Sequence, residues 1–256
     1  MPRYFIEVCY KGTRYSGFQV QENAITIQSE VEKALTIRFR QSFSLTGASR
    51  TDAGVHALQN YFHFDSAESL FCTNENFEEE KNMQQALYSL NSILPGDIVM
   101  KRIFKVGDTA HCRFDAIRRR YKYYIYYERN PFYRDTAYFY PYTVDFEKLQ
   151  EAASVILDTG NFASFCKRNT QVNNFNCSIY KSMWQKDNSC IVYDVVANRF
   201  LRGMVRGLVG TMLKVGTGKI STDEFIGIIK NNNSAKADFS VPARGLFLVE
   251  IKYPDF

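Results

Sequence analysis

Strand and helix signals follow one another in an order that narrows the fold of this 256-residue chain more than any other feature. In its first half, short apolar or alternating runs predict strands, and apolar residues three and four positions apart predict helices. The order is strand, helix, strand, strand, helix, strand, as in the split βαβ, ferredoxin-like unit. The segments are "FIEVCY", a helix after Thr26, "FSLTG", a strand with Leu58, Phe62 and Phe64 on one face, a helix through Met83, Leu87, Leu90 and Leu94, and "IVMKRIFKV".

The second half repeats this order of elements without repeating the sequence. The strand "YKYYIYY" follows three arginines, a helix starts near Asp145, and the strands "CSIYKSMWQ" and "CIVYDVVA" come next. A helix is expected from about Arg199 to Val215, then a short helix after a capping box that starts at Ser221, and a last strand, "LFLVEIKY". We therefore predict an α+β fold of two ferredoxin-like-related halves, whose mainly antiparallel sheets join into a central sheet.

The boundary between the two halves is placed after residue 106, where "VGD" follows the strand "IVMKRIFKV". Residues 1–106 are predicted to form an N-terminal α+β domain that contains Asp52. Residues 107–256 are predicted to form a C-terminal α+β domain that contains the tyrosine-rich strand and the basic helix. The last strand of this second domain is able to pack across the domain junction.

The composition is that of a folded protein, with 45% hydrophobic and 23% charged residues. The six cysteines include no C-x-x-C pair, which indicates a reduced chain. "MPRYFIEVCYKG" lacks the apolar run of a signal peptide, and no segment is long enough to span a membrane. We expect a cytoplasmic protein without membrane contact. No nucleotide-binding glycine pattern or metal motif is present, so no cofactor and no metal are expected.

Positive charge is concentrated in three stretches without acids, although the net charge is only +5. Residues 195–222 place Arg199, Arg202 and Arg206 on one face of the expected helix. A solvated face is the ordinary explanation of such a stripe, but the absence of acids favours phosphate binding. Glycines in this helix would allow close packing or the close approach of a ligand. The other two stretches contain Arg118, Arg119, Arg120 and Lys122, and Lys167, Arg168, Lys181 and Lys186.

The stretch "SRTDAGVHALQNYFHF" contains one carboxylate, Asp52, at a glycine turn. If the backbone before the turn is extended, Arg50 points to the same side as Asp52 and would keep it ionised and oriented for covalent catalysis. Asp-Ala-Gly is equally a common turn, in which the aspartate only caps the backbone. A metal site of Asp52 with His56 and His63 is a further reading, although the chain has only three histidines and no partner motif.

Six motifs belong together along the chain: "SRTDAGVHA", "LPGDI", "AHCRFDA", "RRRYKYYIY", "NRFLRGMVRGLVGTMLKVG" and "GLFLVEIKYP". In this order they resemble the tRNA pseudouridine synthase A family, from about Tyr4 to Pro254. The resemblance implies the pseudouridine synthase fold, with an active-site cleft between the two halves. It also implies a homodimer that isomerises uridine to pseudouridine in the tRNA anticodon stem-loop, at nucleotides 38, 39 and 40, without a cofactor.

The same resemblance implies roles for individual residues. Asp52 would be the catalytic aspartate, and Arg50 would pair with it and help to extrude the target nucleotide. Tyr121 would stack on the uracil and accept the C5 proton, directly or through water. Arg206 would be a second partner of Asp52, and Leu246 would line the base pocket. The remaining candidate RNA contacts are His111, Arg113, Phe114, Arg129, Lys167, Arg168, Arg199 and Arg202.

Three questions stay open at the level of the sequence. Ser49 replaces the glycine that begins the family signature G-R-T-D-x-G-V-H-A, and it would be strained if that position has a positive φ. Asp52 would attack the ribose C1′, attack the uracil C6, or abstract a proton to form a glycal. The alternatives in function are a synthase of the same family with another RNA target, and a non-catalytic RNA-binding module in which Asp52 is a turn cap.

Overall fold

The structure, a computed structural model, divides the chain into two compact units. It describes residues 1–66, 70–71, 76–167, 173–187, 189–232 and 234–254, with 76–78 described for the backbone alone. Unit 1 comprises Met1–Ala116 and the residues from Tyr253 onward, and unit 2 comprises Ile117–Lys252. Residues 107–116, which the sequence analysis placed in the second domain, therefore lie in unit 1. The Tyr253 hydroxyl donates a 2.6 Å hydrogen bond to the Cys112 carbonyl within this unit.

Unit 1 is an antiparallel sheet with two helices that connect its strands. The first strand pairs with the third on one side and the fourth on the other, and the short second strand pairs with the third. The predicted order of elements is thus present, and its strands have the spatial order β4–β1–β3–β2. The elements are β1 Arg3–Tyr10, α1 Ile27–Phe39, β2 Thr46–Gly47, β3 His56–Asp65, α2 Asn76–Ile93 and β4 Ile98–Val106.

Strand β3 is buried on both faces, which differs from the predicted one-sided alternation. Phe62 and Phe64 are buried on one face, where the Phe62 ring stacks on Phe18 with centroids 4.5 Å apart. Tyr61 on the opposite face packs edge-on against Tyr253. Leu58, predicted to share the buried face with Phe62, is 53% exposed. β3 is thus a strand buried on both faces, and it follows directly after the Asp52 turn.

Helix α1 begins where side chains satisfy its first backbone groups. Thr26 accepts a hydrogen bond from the Ser29 N–H, and the Ser29 hydroxyl accepts one from the Thr26 N–H, which completes a capping box for α1. α2 begins at Asn76, earlier than its predicted apolar stripe, and ends before Pro95. No helix in the described part of the chain is both long and apolar enough to cross a membrane.

In unit 2, neighbouring strands pair antiparallel in the spatial order β9–β5–β8–β7, and a short sixth strand pairs parallel to β5. Its elements follow the order predicted from the sequence, with two helices before the last strand. They are β5 Arg118–Tyr126, β6 Tyr138–Phe139, α3 Phe146–Leu157, β7 Ile179–Asp187, β8 Cys190–Ala197, α4 Met204–Gly216, α5 Thr222–Lys230 and β9 Leu246–Lys252.

Helix α4 begins at Met204 and not near Arg199, so the predicted stripe of three arginines on one helix face is wrong. Gly203 caps the helix with a φ of 74°, a left-handed conformation that ends the preceding irregular chain. Arg199 and Arg202 therefore lie before the helix, and Arg206 alone lies on it. Glycine suits position 203 because any residue with a side chain would be strained in this backbone conformation.

Candidate active site

Asp52 occupies a tight turn between an irregular segment and β3. Its carbonyl accepts a 3.2 Å hydrogen bond from the Val55 N–H, which closes the turn predicted from Asp-Ala-Gly. Gly54 has a φ of 78°, which favours glycine at this position. The Asp52 side chain is half-buried, whereas Ala53 at the tip is exposed. The turn thus presents one carboxylate beside the start of a buried strand.

A buried hydrogen-bond network holds the backbone before Asp52. The hydroxyls of Thr51 and Tyr10 are 2.8 Å apart. The Asn60 amide donates to the Tyr10 hydroxyl at 3.1 Å and to the Ser49 carbonyl at 2.9 Å. Asn60 is fully buried, so these bonds satisfy polar groups that would otherwise be costly inside the protein. The network fixes the position of the turn relative to the sheet of unit 1.

Two glycines of the loop "KGTRYSGF" allow its backbone to lie against the Asp52 turn. A Cβ atom on Gly12 would lie 1.9 Å from the Val55 carbonyl oxygen. Gly17 has a φ of 102°, and a Cβ there would lie 3.1 Å from the Thr51 carbonyl oxygen. The loop is also joined to the turn by a 3.1 Å bond from the Phe18 N–H to the Thr51 carbonyl. Any larger residue at Gly12 would displace the start of β3.

Ser49 and Arg50 are the two residues that precede Thr51 in the segment before the Asp52 turn. Ser49 has no positive φ, so serine causes no backbone strain at this position. Arg50 is exposed and forms no ion pair with any residue that the structure describes, so the expected pair of Arg50 with Asp52 is not formed. The Thr51 side chain is buried against Tyr10 between them. Arg50 faces solvent, where it can reach a ligand.

Arg50 lines a pocket of unit 1 together with three other predicted site residues. His111 packs on the Phe114 ring with centroids 4.2 Å apart, and the Arg113 guanidinium lies 5.6 Å from the centre of that ring. Phe114 is 73% exposed, which is unusual for a large apolar side chain. An exposed ring flanked by cations can stack on a nucleobase while arginine binds phosphate. The pocket is lined by Phe18, Gln19, Gln28, Leu45, Thr46, Gly47, Arg50, His111, Arg113 and Phe114.

In unit 2, Tyr121 lies in the middle of β5. Its backbone is paired with Val195 of β8 and Leu248 of β9, and its ring packs edge-on against Phe200 at 5.0 Å. Tyr121 is 8% exposed. Leu246, at the start of β9, is 7% exposed and is paired with Tyr123. The sheet therefore fixes both backbones, and each side chain keeps only a small accessible surface.

Arg206 is held by the chain segment that packs over α4. Its Nε donates a 2.8 Å bond to the Val241 carbonyl, and a second nitrogen lies 3.4 Å from the Phe239 carbonyl oxygen. A Cβ on Gly207 would lie 2.8 Å from the Phe239 ring, and one on Gly210 would lie 2.3 Å from the Asp238 carbonyl oxygen. The sequence allowed two explanations for the glycines of this helix, close packing within the protein or the close approach of a ligand. The structure shows close packing within the protein at Gly207 and Gly210.

Lys167 and Arg202 are neighbours within unit 2. The Lys167 N–H donates a 3.0 Å bond to the Arg202 carbonyl, and the Lys167 side chain covers Gly203. Arg199 begins the same segment, and its N–H is bonded to the Asn198 side chain. Arg129 is exposed and lies 5.6 Å from the centre of the Phe139 ring. Arg168, the remaining candidate RNA contact, lies outside the described residues.

Comparison with known proteins decides the family. A model described as tRNA pseudouridine synthase matches residues 152–254. The tRNA pseudouridine synthase A of Azobacteroides pseudotrichonymphae genomovar. CFP2 is 40% identical over 256 residues, covering 100% of this chain and 98% of that protein. This chain belongs to the tRNA pseudouridine synthase A family. The proteins of that name from Bacteroides fragilis and Staphylococcus aureus strain JH1 are 42% and 34% identical, over 98% and 97% of this chain and 96% and 90% of their own lengths.

Membership of the tRNA pseudouridine synthase A family makes the protein a tRNA pseudouridine synthase, which is an isomerase. Unit 1 brings Arg50 to the same pocket as His111, Arg113 and Phe114. Unit 2 brings Lys167 next to Arg202. It separates Arg199 and Arg202 from the helix of Arg206, on which the sequence had placed all three.

Sequence reasoning missed the residues that position the Asp52 turn of this synthase. Tyr10, Asn60, Gly12 and Gly17 hold or accommodate the turn, and all but Asn60 stand more than 30 residues before Asp52 in the sequence. Two glycines within one loop, next to a strand that ends in Tyr10, were the available signal. Glycines are often found where two backbones approach closely, and such a pair therefore marks a candidate support.

A cluster of two histidines and a cysteine in this synthase has donor atoms of the types that bind metals. The ring nitrogens of His63 and His111 and the Cys112 sulfur lie within 4.8 Å of one another. Each histidine is already hydrogen-bonded: His63 Nδ1 accepts from the Cys112 N–H at 3.3 Å, and His111 Nδ1 accepts from the Arg113 N–H at 3.1 Å. Asp52, His56 and His63, the metal site considered from the sequence, are not grouped in this way among the described residues. His56 Nδ1 instead accepts a hydrogen bond from the Gly12 N–H.

Proposed function

We propose that this tRNA pseudouridine synthase isomerises uridine to pseudouridine in the anticodon stem-loop, at nucleotides 38, 39 and 40, with Asp52 as its essential carboxylate. The observation that carries the proposal is the position of Asp52 in "SRTDAGVHA", half-buried on a turn whose backbone is fixed by Tyr10, Thr51 and Asn60. A turn cap would need no such support. A group that must meet one carbon atom of a substrate does, because misplacement by about 1 Å can reduce the rate about 100-fold.

The reaction needs few chemical groups. The bond from N1 of uracil to C1′ of ribose breaks, the base turns, and a bond from C5 to C1′ forms. The proton on C5 is finally lost, and N1 gains a proton, so the net change is an isomerisation. Asp52 serves as the ionised carboxylate, whether it adds to C1′, adds to C6 or removes a ribose proton. Water activation is not part of the reaction, and a second carboxylate is therefore unnecessary.

Three residues of unit 2 are proposed to act on the same uridine. Tyr121 stacks on the uracil, and its hydroxyl accepts the C5 proton directly or through water. Leu246 provides an apolar wall for the base. Arg206 is a second partner of Asp52, and its guanidinium is already oriented by the carbonyls of Val241 and Phe239. These roles rest on the family resemblance at each residue.

The remaining residues are proposed to bind the RNA around the target. Arg50 is free of ion pairs within the described chain and lies beside Phe114 and Arg113, so it can enter the space left by an extruded nucleotide. Extrusion costs a few kcal/mol, which stacking and phosphate contacts offset. The other proposed contacts are His111, Arg129, Lys167, Arg168, Arg199 and Arg202.

The wider setting is proposed from the family resemblance. The two domains are expected to be ferredoxin-like-related halves of one pseudouridine synthase fold. The protein is expected to work as a cytoplasmic homodimer without a cofactor or metal. An RNA-binding module without catalysis would leave the support of the Asp52 turn without a purpose.

Asp52→Asn tests the proposal. Unmodified tRNA is incubated with each protein, and pseudouridine is mapped by site-specific chemical modification. Wild type is expected to form pseudouridine in the anticodon stem-loop, whereas Asp52→Asn forms none and still binds the tRNA. Asp108→Asn is the matched control, because Asp108 is an exposed carboxylate of the same unit. Full activity of Asp52→Asn would exclude Asp52 as the catalytic residue, and product at other nucleotides would identify another RNA target.

A further inference from the structure

Unit 2 has a cationic pocket on the sheet face that points away from Tyr121. Side chains alternate along a strand, so Arg118 and Arg120 of β5 face the side opposite to Tyr121. Lys181 of β7 and Lys252 of β9 line the same pocket, as do Arg119 and Val196. Glu250 is the only acid among its lining residues. None of these residues belongs to the set proposed for catalysis or for the target uridine.

A buried aspartate orients two of the cations. Asp194 is fully buried, and its carboxylate accepts two hydrogen bonds from Arg120, at 2.9 and 2.6 Å. Lys181 donates to the same carboxylate at 2.7 Å. One negative charge thus fixes two positive charges that remain about one-third exposed. The group carries a net positive charge, and its geometry is set before any ligand arrives.

Arg118 and Lys252 form an arrangement that is unfavourable without a ligand. The register of β5 and β9 places them directly opposite each other. Like charges in directly opposed positions destabilise a sheet. Neither side chain forms an ion pair with any residue in the described ranges, and Arg118 instead lies 4.7 Å from the centre of the half-exposed Tyr180 ring. An anion between them would remove the repulsion.

We propose that this pocket, formed by Arg118, Arg120, Lys181 and Lys252, is a second RNA-binding surface that binds tRNA phosphates outside the anticodon stem-loop. Cations beside an exposed aromatic ring are the usual features of a nucleic-acid contact. Tyr121 faces the other side of the same strand, so the phosphates held here belong to a different part of the RNA. This second surface rests on the proposed function, because it requires tRNA to be the substrate.

A second copy of the chain is a poorer occupant. In a two-fold symmetric contact the same patch meets itself or its neighbourhood. Five cations and one exposed acid of the lining would then face an equal excess of cations, and like charges across an interface are costly. Phosphate has the opposite charge and suits both arginine and lysine. The charge of the surface therefore favours RNA over self-association.

Two variants test the surface. Arg118→Ala combined with Lys252→Ala is compared with Lys148→Ala combined with Lys230→Ala, which removes two exposed cations from helices α3 and α5. Affinity for full-length unmodified tRNA and for the isolated anticodon stem-loop is measured over a salt series. For the first double variant, we expect about fivefold weaker tRNA binding per cation at about 0.15 M salt. Its salt slope should fall by roughly 1 per cation. Stem-loop binding should stay within about twofold of wild type, as should all binding by the control variant.

Lys252→Glu provides a readout that does not depend on loss of stability. It replaces the repulsive pair with an attractive one, so the free protein should unfold at a higher temperature than wild type. Its tRNA binding should nevertheless weaken more than that of Lys252→Ala. Stabilisation without weaker tRNA binding would overturn the proposal.

Three other outcomes would also overturn it. One is an unchanged salt slope in the first double variant, and another is equal weakening for tRNA and stem-loop. The third is a changed sedimentation of the protein with unchanged tRNA affinity, which would assign the surface to protein association. Pseudouridine formation by wild type is measured separately. Its absence would contradict the proposed function while the salt slopes still report on this surface.

Discussion

At the scale of single residues, the position of Asp52 depends on partners far away in the sequence. The Tyr10 hydroxyl joins Thr51 and Asn60 in a buried network. Tyr10→Phe should cost about 1–3 kcal/mol of unfolding free energy, because it leaves buried polar groups without a partner. It should also lower kcat roughly tenfold and leave KM near the wild-type value, since the turn moves while the RNA contacts remain. Denaturant unfolding and single-turnover kinetics measure the two effects.

Tyr88→Phe is the matched control for this positioning role, because Tyr88 is 79% exposed. It should change neither the unfolding free energy nor kcat. A Tyr10→Phe protein with normal kcat, whatever its stability, would show that the network supports the fold alone.

Gly12 makes a second prediction at this scale. Gly12→Ala places a methyl group against the Val55 carbonyl and should destabilise the protein by about 1–3 kcal/mol. Gly96→Ala is the comparison, since nothing lies within 4 Å of a Cβ at that position. That variant should be neutral or more stable by about 0.5 kcal/mol. Equal stability of the two variants would contradict the close backbone contact.

Individual site residues were predictable to different degrees. Asp52 and its glycine turn follow from a short local pattern, which long-range packing does not alter. Arg50 forms no ion pair with Asp52 among the described residues, because a shared side of an extended segment does not by itself bring two side chains into contact. The sign of φ at Ser49 was left open by the sequence, although residues other than glycine seldom have a positive φ. The roles of Tyr121, Arg206 and Leu246 remain predictions.

At the scale of elements, α4 shows how helical glycines are used. Gly210→Ala should place its Cβ against the Asp238 carbonyl and destabilise the protein by about 1–3 kcal/mol, despite the higher helix propensity of alanine. It should also slow pseudouridine formation, since the displaced segment carries the carbonyls that orient Arg206. Thermal unfolding and a rate measurement under saturating tRNA test both effects.

Gly227→Ala in α5 is the control for this element. Nothing lies within 4 Å of a Cβ there, so the variant should be more stable by about 0.5–1 kcal/mol. Opposite signs for the two substitutions are the expected result. Two stabilising substitutions would mean that α4 does not pack closely against the segment at Asp238.

The elements themselves were predictable because their apolar patterns are local. The first residue of α4 was not predictable. Arginines at helical spacing begin at Arg199, but the left-handed conformation of Gly203 prevents the helix from starting before Met204. The capping box of α1 is similar in kind: Ser29 completes it, and a search for Glu or Gln at this position overlooks it. Element boundaries depend on such single contacts, whereas element types depend on many residues.

At the scale of the whole molecule, His63 should make stability depend on pH. Burial first, and then the nearby His111 and Arg3, lower the pKa of His63 to about 4, whereas an unfolded histidine titrates near 6.5. Between these values the unfolded chain binds more protons, so stability rises with pH across this window. The free energy of unfolding should fall by about 3 kcal/mol from pH 6.5 to pH 4 through this residue. His63→Gln should remove that part of the slope, and an unchanged slope would assign it to other groups.

The assignment of one segment to a unit shows what local pattern omits. Residues 107–116 follow the last predicted strand of the first half, and local pattern gives no reason to count them with that half. Their place depends on buried contacts of Cys112 with His63 and with Tyr253, which stand 49 and 141 residues away. Long-range contacts of this kind leave no periodic trace in the sequence.

The burial of Tyr253 in unit 1 has a consequence for synthesis on the ribosome. Translation completes all of unit 2 before it adds Tyr253, which packs on Phe5 and Tyr61 and is 2% exposed. The unit that is translated first thus lacks part of its core until the other has left the exit tunnel. The apolar surface that Tyr253 covers in unit 1 therefore stays exposed until the end of translation. A chaperone that binds apolar surface would have the longest time to bind at this place.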